Sequence, residues 1–324
     1  MNKDWTCLRD PADGGVLVIE IDTINSVNGL NYPIVRGIPR FVDIENYSDD
    51  FGAQWNMFPK TQLDSFTNLD ISESRLARCF RGNLANLKGK KVLEAGSGAG
   101  RFTEILLKYG AIVHSFDFSN AVEANAKNNG SHENLVLVQA DIRKIPFPKA
   151  DYDYVMCLGV LQHTPSPEES MKCLWEMVKP GGALVIDHYR WTWRLALLPP
   201  FGDSVILYRQ LVLRLPKKVR FKFIQAVTDF WFPWHWKFKD SLTMQRILRR
   251  LSPVRFYYPD LKLRDRQMFY EWSLLDTHDS TTDFYKHLRK PEQIKNLFEE
   301  LCATDIVADI GGNGVEAFCR KSVK

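Results

Sequence analysis

The stretch 92-VLEAGSGAGRF-102 decides the fold, because a buried apolar run breaks there into three glycines and then an arginine. A glycine loop between a strand and a helix brings backbone N–H groups and a helix N-terminus close to a ligand. The spacing is G-x-G-x-G, and Arg101 stands where the dinucleotide fingerprint has its last glycine. The stretch also differs from the phosphate loop G-x-x-x-x-G-K-[ST]. The loop therefore predicts neither a dinucleotide nor a nucleoside triphosphate.

Strand-like and helical patterns alternate on both sides of this loop. The stretches KVLEAG, AIVHSFDFS, LVLVQAD, YDYVMCLGV and GALVIDHY read as strands, with helical patterns between most of them. Such alternation predicts βαβ units and a parallel sheet. Near the end, the helix PEQIKNLFEELC precedes two strands around the turn GGNG, which predicts an antiparallel hairpin at the sheet edge. Upstream, we expect a helix from Ser72 to about Leu87.

Three acidic residues end three successive strands of the predicted sheet. Glu94 precedes the first glycine, Asp117 follows the second strand, and Asp141 follows the third. A carboxylate beside the loop would repel a pyrophosphate but would attract an ammonium group, and one about 20 residues on can accept both ribose hydroxyls. Together the three acids suit an amino-acid zwitterion, a ribose and an adenine amine. S-adenosylmethionine has all three and no phosphate, so we predict it as the cofactor.

The motifs VLEAGSGAG, SFDFS, ADIRKIPF, LGVLQH and VKPGGALVI stand in order at spacings that resemble the class I S-adenosylmethionine-dependent methyltransferases. The resemblance covers roughly residues 90–190 and 276–324 and implies a Rossmann-like α/β fold. It implies that the ribose is held at Asp117 and Phe118 and the adenine at Asp141 and Ile142. Arg101 either reaches the cofactor carboxylate or is a surface residue of the helix. The residues that the resemblance assigns to the methionine moiety are Glu94, Gly96, Ser97, Gly98, Gly100 and Leu158.

Residues 1–45 form a predicted small β module that looks like the zinc ribbon of Trm112 type. That module places cysteines in C-P-x-C pairs, whereas this sequence has Asp10 and Asp13 there and Asn28 at a later cysteine position. Because the lone Cys7 cannot make a tetrahedral zinc site, we predict that no metal is bound. The stretch FGAQWNMFPKTQLDS, residues 51–65, resembles a segment of the same subgroup. By that likeness it covers the cofactor through Gln54, Trp55 and Gln62.

The methyl acceptor should lie beyond the carboxyl ends of the fourth and fifth strands. The fourth strand leads to His163, and the fifth leads to Asp187 and His188. A late segment adds His278 and Asp279, and we name His163, His278 and Asp279 as candidate catalytic residues. The fourth strand lacks the [DN]-P-P-[YF] element of methyltransferases that act on base amines. We therefore expect a small-molecule, glycan or lipid-linked acceptor, methylated at oxygen, and no nucleic acid.

The segment 191–275 interrupts the alternation and is the predicted acceptor-binding insertion, a helical and aromatic lid. It combines excess Lys and Arg with the aromatic run DFWFPWHWKF at residues 229–238. Aromatic rings with interleaved cations can bind flat or acidic acceptors or rest on a membrane surface, or they can form a buried core under a solvated basic face. The predicted division is thus the β module 1–45, a helical cover 46–90, the core 91–190 with 276–324, and this insertion.

The bulk composition leaves three functions open. With 45% hydrophobic residues and a net charge of +4, the chain is a globular protein without the strong basic charge of a dedicated nucleic-acid binder. The six cysteines form no C-x-x-C pair, the first residues lack a secretory pattern, and we expect a cytoplasmic protein. An active methyltransferase is the leading hypothesis. An RNA methyltransferase and a non-catalytic cofactor-binding or scaffold protein are the alternatives.

Overall fold

The computed structural model describes residues 5–43, 49–192, 197, 202–258 and 260–323. The chain divides into two compact units. The first comprises Met1–Asn56, Ile71–Arg190 and Tyr285–Lys324, and the second comprises Met57–Asp70 and Trp191–Phe284. The second unit therefore gathers part of the predicted helical cover and ends later than the predicted insertion.

A seven-stranded mixed sheet forms the centre of the first unit. Five parallel strands are followed by an antiparallel hairpin at one edge, as predicted. The strands are β5 (Lys91–Ala95), β6 (Ile112–Asp117), β7 (Leu135–Gln139), β8 (Tyr152–Cys157), β9 (Val178–His188), β10 (Thr304–Gly311) and β11 (Gly314–Arg320). Their order along the sheet is β10-β11-β9-β8-β5-β6-β7. The order reverses between β5 and β8, which creates the crevice where ligands bind in open α/β sheets. The predicted Rossmann-like α/β fold is confirmed.

Helices cover both faces of this sheet. Strand residues alternate between the two faces: Val185 packs into the core on one side and Ile186 into the core on the other. Because both faces are buried, the strands read as nearly continuous apolar runs. The helices of the first unit are α1 (Asp49–Met57, which crosses the boundary by one residue), α3 (Ile71–Phe80), α4 (Arg101–Lys108), α5 (Val122–Asn129), α6 (Pro167–Met177) and α11 (Pro291–Glu300), and short 3-10 helices span Leu84–Leu87 and Leu161–His163.

The predicted helix from Ser72 to about Leu87 is in fact two elements. Helix α3 ends at Phe80, and Arg81 adopts a left-handed conformation with φ of 52° before Gly82. A separate 3-10 helix then begins after Asn83, whose side chain accepts a hydrogen bond from the N–H of Ala85 at 2.9 Å. The Arg81-Gly82-Asn83 sequence thus breaks the helix, since glycine and an asparagine cap both favour a turn.

The N-terminal β module is a four-stranded antiparallel sheet. Its strands, in their order along the sheet, are β1 (Leu17–Ile19), β2 (Thr23–Ser26), β3 (Asn31–Val35) and β4 (Ile38–Pro39). Leu8, Leu17 and Ile24 belong to the same buried cluster as the central sheet, and the N–H of Phe41 donates to the carbonyl of Gln139 on β7 at 2.8 Å. The module therefore packs on the core of the first unit.

Helix α10 (Arg266–Thr282) is the element against which two other helices of the second unit pack. Helices α7 (Val205–Arg214) and α8 (Lys217–Lys237) pack against it, and the unit also contains α2 (Asp64–Thr67) and α9 (Leu242–Leu251). The predicted boundary at 275/276 falls inside α10. This helix is continuous from its N-cap, Asp265, and most of its residues are buried. No helix among the described residues is long and apolar enough to cross a membrane.

Aromatic side chains form much of the interior of the second unit. The ring centroid of Phe232 lies 5.3 Å from Tyr270, 5.8 Å from Phe256 and 6.1 Å from Trp236. Trp234, two residues earlier than Trp236, is 46% exposed. Part of the aromatic run 229–238 is thus structural core, and part of it lies at the surface.

Candidate cofactor site

The glycine loop between β5 and α4 packs too tightly for side chains. Gly96 has φ of +80°, and a Cβ there would lie 2.2 Å from Cγ2 of Val160. Gly100 has φ of +88°, and its Cβ would lie 2.2 Å from the Oδ1 of Asn125. Both conditions exclude an L side chain, since each combines a left-handed backbone with a clash. The loop therefore meets the segment after β8, across the crevice where the strand order reverses.

Glu94 is a carboxylate buried directly beneath this loop, with 1% of its surface exposed. Its Oε2 accepts hydrogen bonds from the hydroxyls of Thr103 at 2.5 Å and Ser115 at 2.8 Å. Its Oε1 has no hydrogen-bond partner among the described residues. Burial raises the pKa of Glu94 to about 7 despite these two hydrogen bonds. A cation in the loop would complete the hydrogen bonding of Oε1 and favour the ionised form.

Two further loop positions have properties that a ligand site requires. The Oγ of Ser97 is buried, and within the part of the chain that the structure describes it makes no hydrogen bond. Trp55, on α1, lies against Gly98, whose Cβ would be 3.4 Å from the indole Cε2. Gln54 is also buried, with 1% exposure. The structure thus brings two of the three predicted covering residues to the first unit, and Trp55 to the loop itself.

Asp117 lies at the end of β6, where the ribose carboxylate was predicted. Its Oδ2 accepts from the N–H of Gly98 at 2.9 Å, and its Oδ1 accepts from the N–H and hydroxyl of Ser119 at 2.8 and 2.7 Å. Desolvation raises the pKa of Asp117, and these hydrogen bonds oppose the rise. The side chain is only half-buried. It therefore combines a fixed orientation with an accessible edge, and Phe118 follows it, also half-buried.

Asp141, the predicted adenine residue, has a different environment. Arg143 donates to its carboxylate through Nε at 3.1 Å and through NH2 at 2.7 Å. The neighbouring Ile142 is buried, as is Leu158 after β8. An adenine amine would therefore share the Asp141 carboxylate with Arg143.

Sequence reasoning missed Arg75, a cation on α3. Its guanidinium forms an ion pair with Asp187, which is fully buried at the end of β9 and accepts from the N–H of Gly159 at 2.6 Å. The Nε of Arg75 is buried without a partner among the residues described. One signal was present: Ser72, Leu76 and Cys79 form the buried face of α3, and Arg75 interrupts it. The Nε of Arg101 donates to the hydroxyl of Ser72 at 3.0 Å, and its role at the cofactor carboxylate stays a prediction.

The predicted catalytic residues fall in different units. His163 is half-buried in the first unit, with its Nδ1 3.3 Å from the carbonyl oxygen of Tyr285 and its ring 5.3 Å from that of Tyr189. His278 is 2% exposed in the second unit, and burial lowers its pKa to about 4. Asp279 follows it on α10, half-buried.

Gln62, the third covering residue, also belongs to the second unit. Its amide donates to the carboxylate of Asp276 at 3.0 Å. The role of Gln62 at the cofactor, like the other individual site roles, stays a prediction.

Two buried polar side chains accompany His163 at the carboxyl ends of β8 and β9. Gln162 is fully buried, and neither end of its amide finds a hydrogen-bond partner in the described part of the chain. His188 is also fully buried, its Nδ1 lies 3.0 Å from the carbonyl oxygen of Tyr189, and burial lowers its pKa to about 4. No group of three His, Cys, Asp or Glu side chains that could hold a metal occurs among the described residues.

The loop fits the cofactor that the sequence predicted. The glycines permit close approach, Oε1 of Glu94 and Oγ of Ser97 retain hydrogen-bonding capacity, and Asp117 is oriented at the adjacent strand end. Residues 93–186 also match the family model described as a methyltransferase domain. These residues form a methyltransferase domain. Its methyl donor is S-adenosylmethionine, so the predicted fold class and cofactor are both confirmed.

Curated relatives match this part of the chain. A ubiquinone biosynthesis O-methyltransferase of Coxiella burnetii (strain Dugway 5J108-111) is 36% identical over 100 residues, which is 30% of this chain and 43% of the relative. A protein of the same description from Azoarcus sp. (strain BH72) is 30% identical over 125 residues, covering 37% of this chain and 53% of the relative. The chain thus spans about half the length of the curated relatives it matches.

Solved structures resemble a larger share of the chain at lower identity. A candidate S-adenosyl-L-methionine-dependent methyltransferase from Methanococcus maripaludis aligns over 87% of this chain and 97% of its own, with 13% identity and a TM-score of 0.46. A phosphoethanolamine N-methyltransferase 2 from Haemonchus contortus, solved with S-adenosylhomocysteine, aligns over 84% and 47%, with 15% identity and a TM-score of 0.45. The assignment of the domain rests on the family match and on the loop geometry.

Proposed function

We propose that this chain transfers the methyl group of S-adenosylmethionine to an oxygen atom of a small-molecule acceptor. The observation that carries the proposal is the glycine loop with Glu94 beneath it, whose Oε1 lacks a partner among the described residues. In a scaffold protein that binds no cofactor, a buried carboxylate with an unpartnered oxygen would only make the free energy of folding less favourable. Oxygen is favoured because the curated relatives of the domain are named as O-methyltransferases.

The chain's own residues would bind and orient the cofactor. The carboxylate of Glu94 is suited to the ammonium group and that of Asp117 to the ribose hydroxyls, while Asp141 is suited to the adenine amine. The guanidinium of Arg75 is suited to the carboxylate of the cofactor's methionine moiety, since its Nε has no partner in the described residues. The sulfonium of the bound cofactor supplies an already activated methyl group. Alignment of the acceptor is therefore the main task that remains for the protein, worth about 7 to 11 kcal/mol when it is optimal.

His163 is the residue that we propose as general base. Its ring is oriented at the end of β8, because Nδ1 lies 3.3 Å from the carbonyl oxygen of Tyr285 and can donate to it. That tautomer puts the lone pair on Nε2, which can take a proton from a hydroxyl acceptor. A base in this role contributes about 10²- to 10⁴-fold to the rate. The nearly complete burial of His278 makes it a weaker candidate.

The finer identity of the acceptor is part of the same proposal. A hydroxyl of a phenol or diol, of a glycan or of a lipid-linked molecule could each give its proton to the base. Nucleic-acid bases are disfavoured by the LGVLQH sequence after β8, which lacks the [DN]-P-P-[YF] element. We retain the small-molecule hydroxyl as the class to be tested.

The test uses the full chain with labelled S-adenosylmethionine and catechol as a model acceptor. We expect a labelled methyl ether from the wild-type protein. His163→Gln should lower turnover at least a hundredfold while calorimetric affinity for S-adenosylhomocysteine stays within threefold. Asp117→Ala should weaken that affinity by about 1.5 to 3 kcal/mol, the worth of charge-assisted hydrogen bonds. Label that appears only on amines or on RNA would refute oxygen transfer, and unchanged affinity in Asp117→Ala would refute the ribose assignment.

We also propose that the N-terminal module is a metal-free relative of the Trm112 zinc ribbon. Hydrogen bonds are made at the positions where the resemblance expects thiolates. Asn28 donates to the carboxylate of Asp13. The hydroxyl of Ser26 donates to the carboxylate of Asp10, and so does the hydroxyl of Tyr32, at 2.9 Å. These hydrogen bonds would hold the segment of Asp10 and Asp13 against the segment of Ser26 and Asn28 without a metal ion. Elemental analysis of protein purified without added metal tests this, and stoichiometric zinc would contradict it.

A further inference from the structure

Three consecutive helices of the second unit each expose a stripe of large apolar side chains. Each stripe is a pair separated by four residues, so its members lie one above the other on the same helix face. All six side chains are between 46% and 63% exposed. The pairs are Leu207 and Leu211 on α7, Phe230 and Trp234 on α8, and Ile247 and Leu251 on α9.

Side-chain contacts connect these helices near the stripes. The hydroxyl of Ser204, at the start of α7, donates to the carbonyl oxygen of Ser252, just after α9, at 2.7 Å. The indole N–H of Trp231 on α8 donates to the hydroxyl of Tyr208 on α7 at 3.3 Å. The exposed residues that neighbour these contacts, Leu207, Phe230 and Leu251, therefore belong to adjoining parts of one unit. We call the six residues together the apolar stripes.

The three helices that carry the apolar stripes are rich in positive charge. Residues 205–251 contain 11 Lys and Arg but only two Asp and Glu. Five of these cations are exposed and have no carboxylate within ion-pair distance among the described residues: Arg214, Lys218, Lys222, Arg246 and Arg250. On α9 the cations Arg246 and Arg250 are each followed directly by a member of the stripe. An intramolecular role in ion pairing does not account for these side chains.

We propose that this basic, apolar face docks on the surface of an anionic phospholipid bilayer. Aliphatic side chains and tryptophan beside lysine and arginine are the composition of helices that lie at a membrane interface, where apolar groups enter the acyl boundary and cations meet phosphate groups. A nucleic acid would use the cations and could stack on Trp234, but it would gain nothing from Leu207, Ile247 or Leu251. The docking is peripheral, in keeping with the absence of a spanning helix among the described residues.

The N-terminal module provides a matched contrast within the same chain. It also exposes large apolar side chains, with Val16 at 69%, Ile21 at 92% and Val27 at 77%. However, residues 11–35 contain three acidic residues and no Lys or Arg. An anionic surface would repel this patch, so it controls for non-specific adsorption of exposed hydrophobic groups.

Co-sedimentation with vesicles tests the proposal on the full chain. We expect binding to vesicles of phosphatidylglycerol mixed with phosphatidylcholine, at least tenfold weaker binding to pure phosphatidylcholine, and weakening with added salt. A fourfold variant should lower the partition coefficient at least tenfold, because it removes the apolar side chains of α7 and α9. Its changes are Leu207→Gln, Leu211→Gln, Ile247→Gln and Leu251→Gln, and glutamine is chosen because it retains helix propensity. Arg246→Gln with Arg250→Gln should do the same. The control Ile21→Gln with Val27→Gln should leave it within twofold.

Several results would overturn the proposal. One is no binding to the anionic vesicles, and another is binding that the helix variants leave unchanged. Equal losses in the control variant would show adsorption rather than a docking face. Retention on heparin or RNA that matches vesicle binding and is insensitive to the leucine and isoleucine changes would assign the face to a soluble polyanion. Circular dichroism and S-adenosylhomocysteine calorimetry verify that each variant is folded, and the outcome is independent of methyl transfer.

Discussion

The glycine loop and the N-terminal module each hold a carboxylate with 1% of its surface exposed, yet the pKa values of Glu94 and Asp10 shift in opposite directions. Burial tends to raise both. At Asp10, hydrogen bonds from the hydroxyls of Ser26 and Tyr32 and from the N–H of Ala12 exceed that effect and lower the pKa. At Glu94, two hydroxyls bond one oxygen only, and the pKa rises to about 7.

The difference separates a structural carboxylate from one that a ligand would complete. All the hydrogen bonds at Asp10 come from its own module, so ionisation there stabilises the fold. Glu94 keeps unused capacity within the loop, so its ionisation costs folding free energy until a cation arrives. Perturbed carboxylates of the second kind concentrate at functional sites. The following predictions, from the largest expected effect to the smallest, would break or sharpen this contrast.

The largest effect is expected for Gly96→Ala in the loop, compared with Gly37→Ala in the module. Both glycines have positive φ, +80° and +73°, but a Cβ at Gly96 would lie 2.2 Å from Val160 whereas Gly37 has no atom within 4 Å. Gly37→Ala should cost about 1 kcal/mol of stability, the backbone term alone. Gly96→Ala should cost about 3 to 5 kcal/mol, because overpacking adds to that term. Urea denaturation measures both, and equal losses would show that the loop is no tighter than an ordinary turn.

Local sequence patterns were sufficient for the sheet and for the loop. The alternation of strands and helices, the G-x-G-x-G spacing and the GGNG turn each depend on neighbours in sequence, and the structure has the parallel strands and the edge hairpin where they were expected. The strands could be read because both faces of the sheet are buried. The same local reasoning placed Glu94 and Asp117 at strand ends, since strand ends can be located from the apolar runs that precede them.

Contacts between distant segments could not be read in the same way. Arg75 forms an ion pair with Asp187, which lies 112 positions later in the chain, and no local sequence pattern predicts that the two residues are in contact. The composition of 191–275 showed cations and aromatic rings, but it did not distinguish Trp236 in the aromatic core from Trp234 at the surface. The predicted boundary at 275/276 lies within α10, since no cap or turn residue in the sequence marks a helix end at that position.

A smaller effect is expected in the pH dependence of stability. Because the folded pKa of Glu94 is raised, the native state binds more protons than the unfolded chain between about pH 4.5 and 7, and stability falls as the pH rises through that window. This group should remove about 2 kcal/mol between pH 5 and pH 8. Glu94→Gln should lack that loss and be more stable than the wild type at pH 8, yet bind S-adenosylhomocysteine more weakly.

Urea denaturation at both pH values, paired with calorimetry, measures this exchange of stability for binding. The Asp117→Ala variant is the comparison: it should weaken binding and keep most of the fall in stability, because burial, more than the neighbouring charge of Asp117, raises the pKa of Glu94. If Glu94→Gln were destabilised at pH 8, the carboxylate would be a structural group like Asp10, and the contrast between the two regions would be lost.

The smallest effect is expected for Asp10→Asn, which keeps the shape of the side chain and removes its charge. The Oδ1 of asparagine can still accept from Tyr32 and Ala12, and the hydroxyl of Ser26 can rotate to accept from the new amide. The variant loses only the charge-assisted part of three hydrogen bonds, about 1 kcal/mol at neutral pH.

The pH dependence of this loss distinguishes Asp10 from Glu94. Because the folded pKa of Asp10 is lowered, the stability that its charge contributes is present above the unfolded pKa near 3.8 and is lost as the pH falls through the folded pKa. The difference between wild type and Asp10→Asn should therefore be constant from pH 5 to 8, the range in which Glu94 changes most. A difference that grew across that range would mean that Asp10 titrates near neutrality, and that the module, too, contains a carboxylate whose bonding is incomplete.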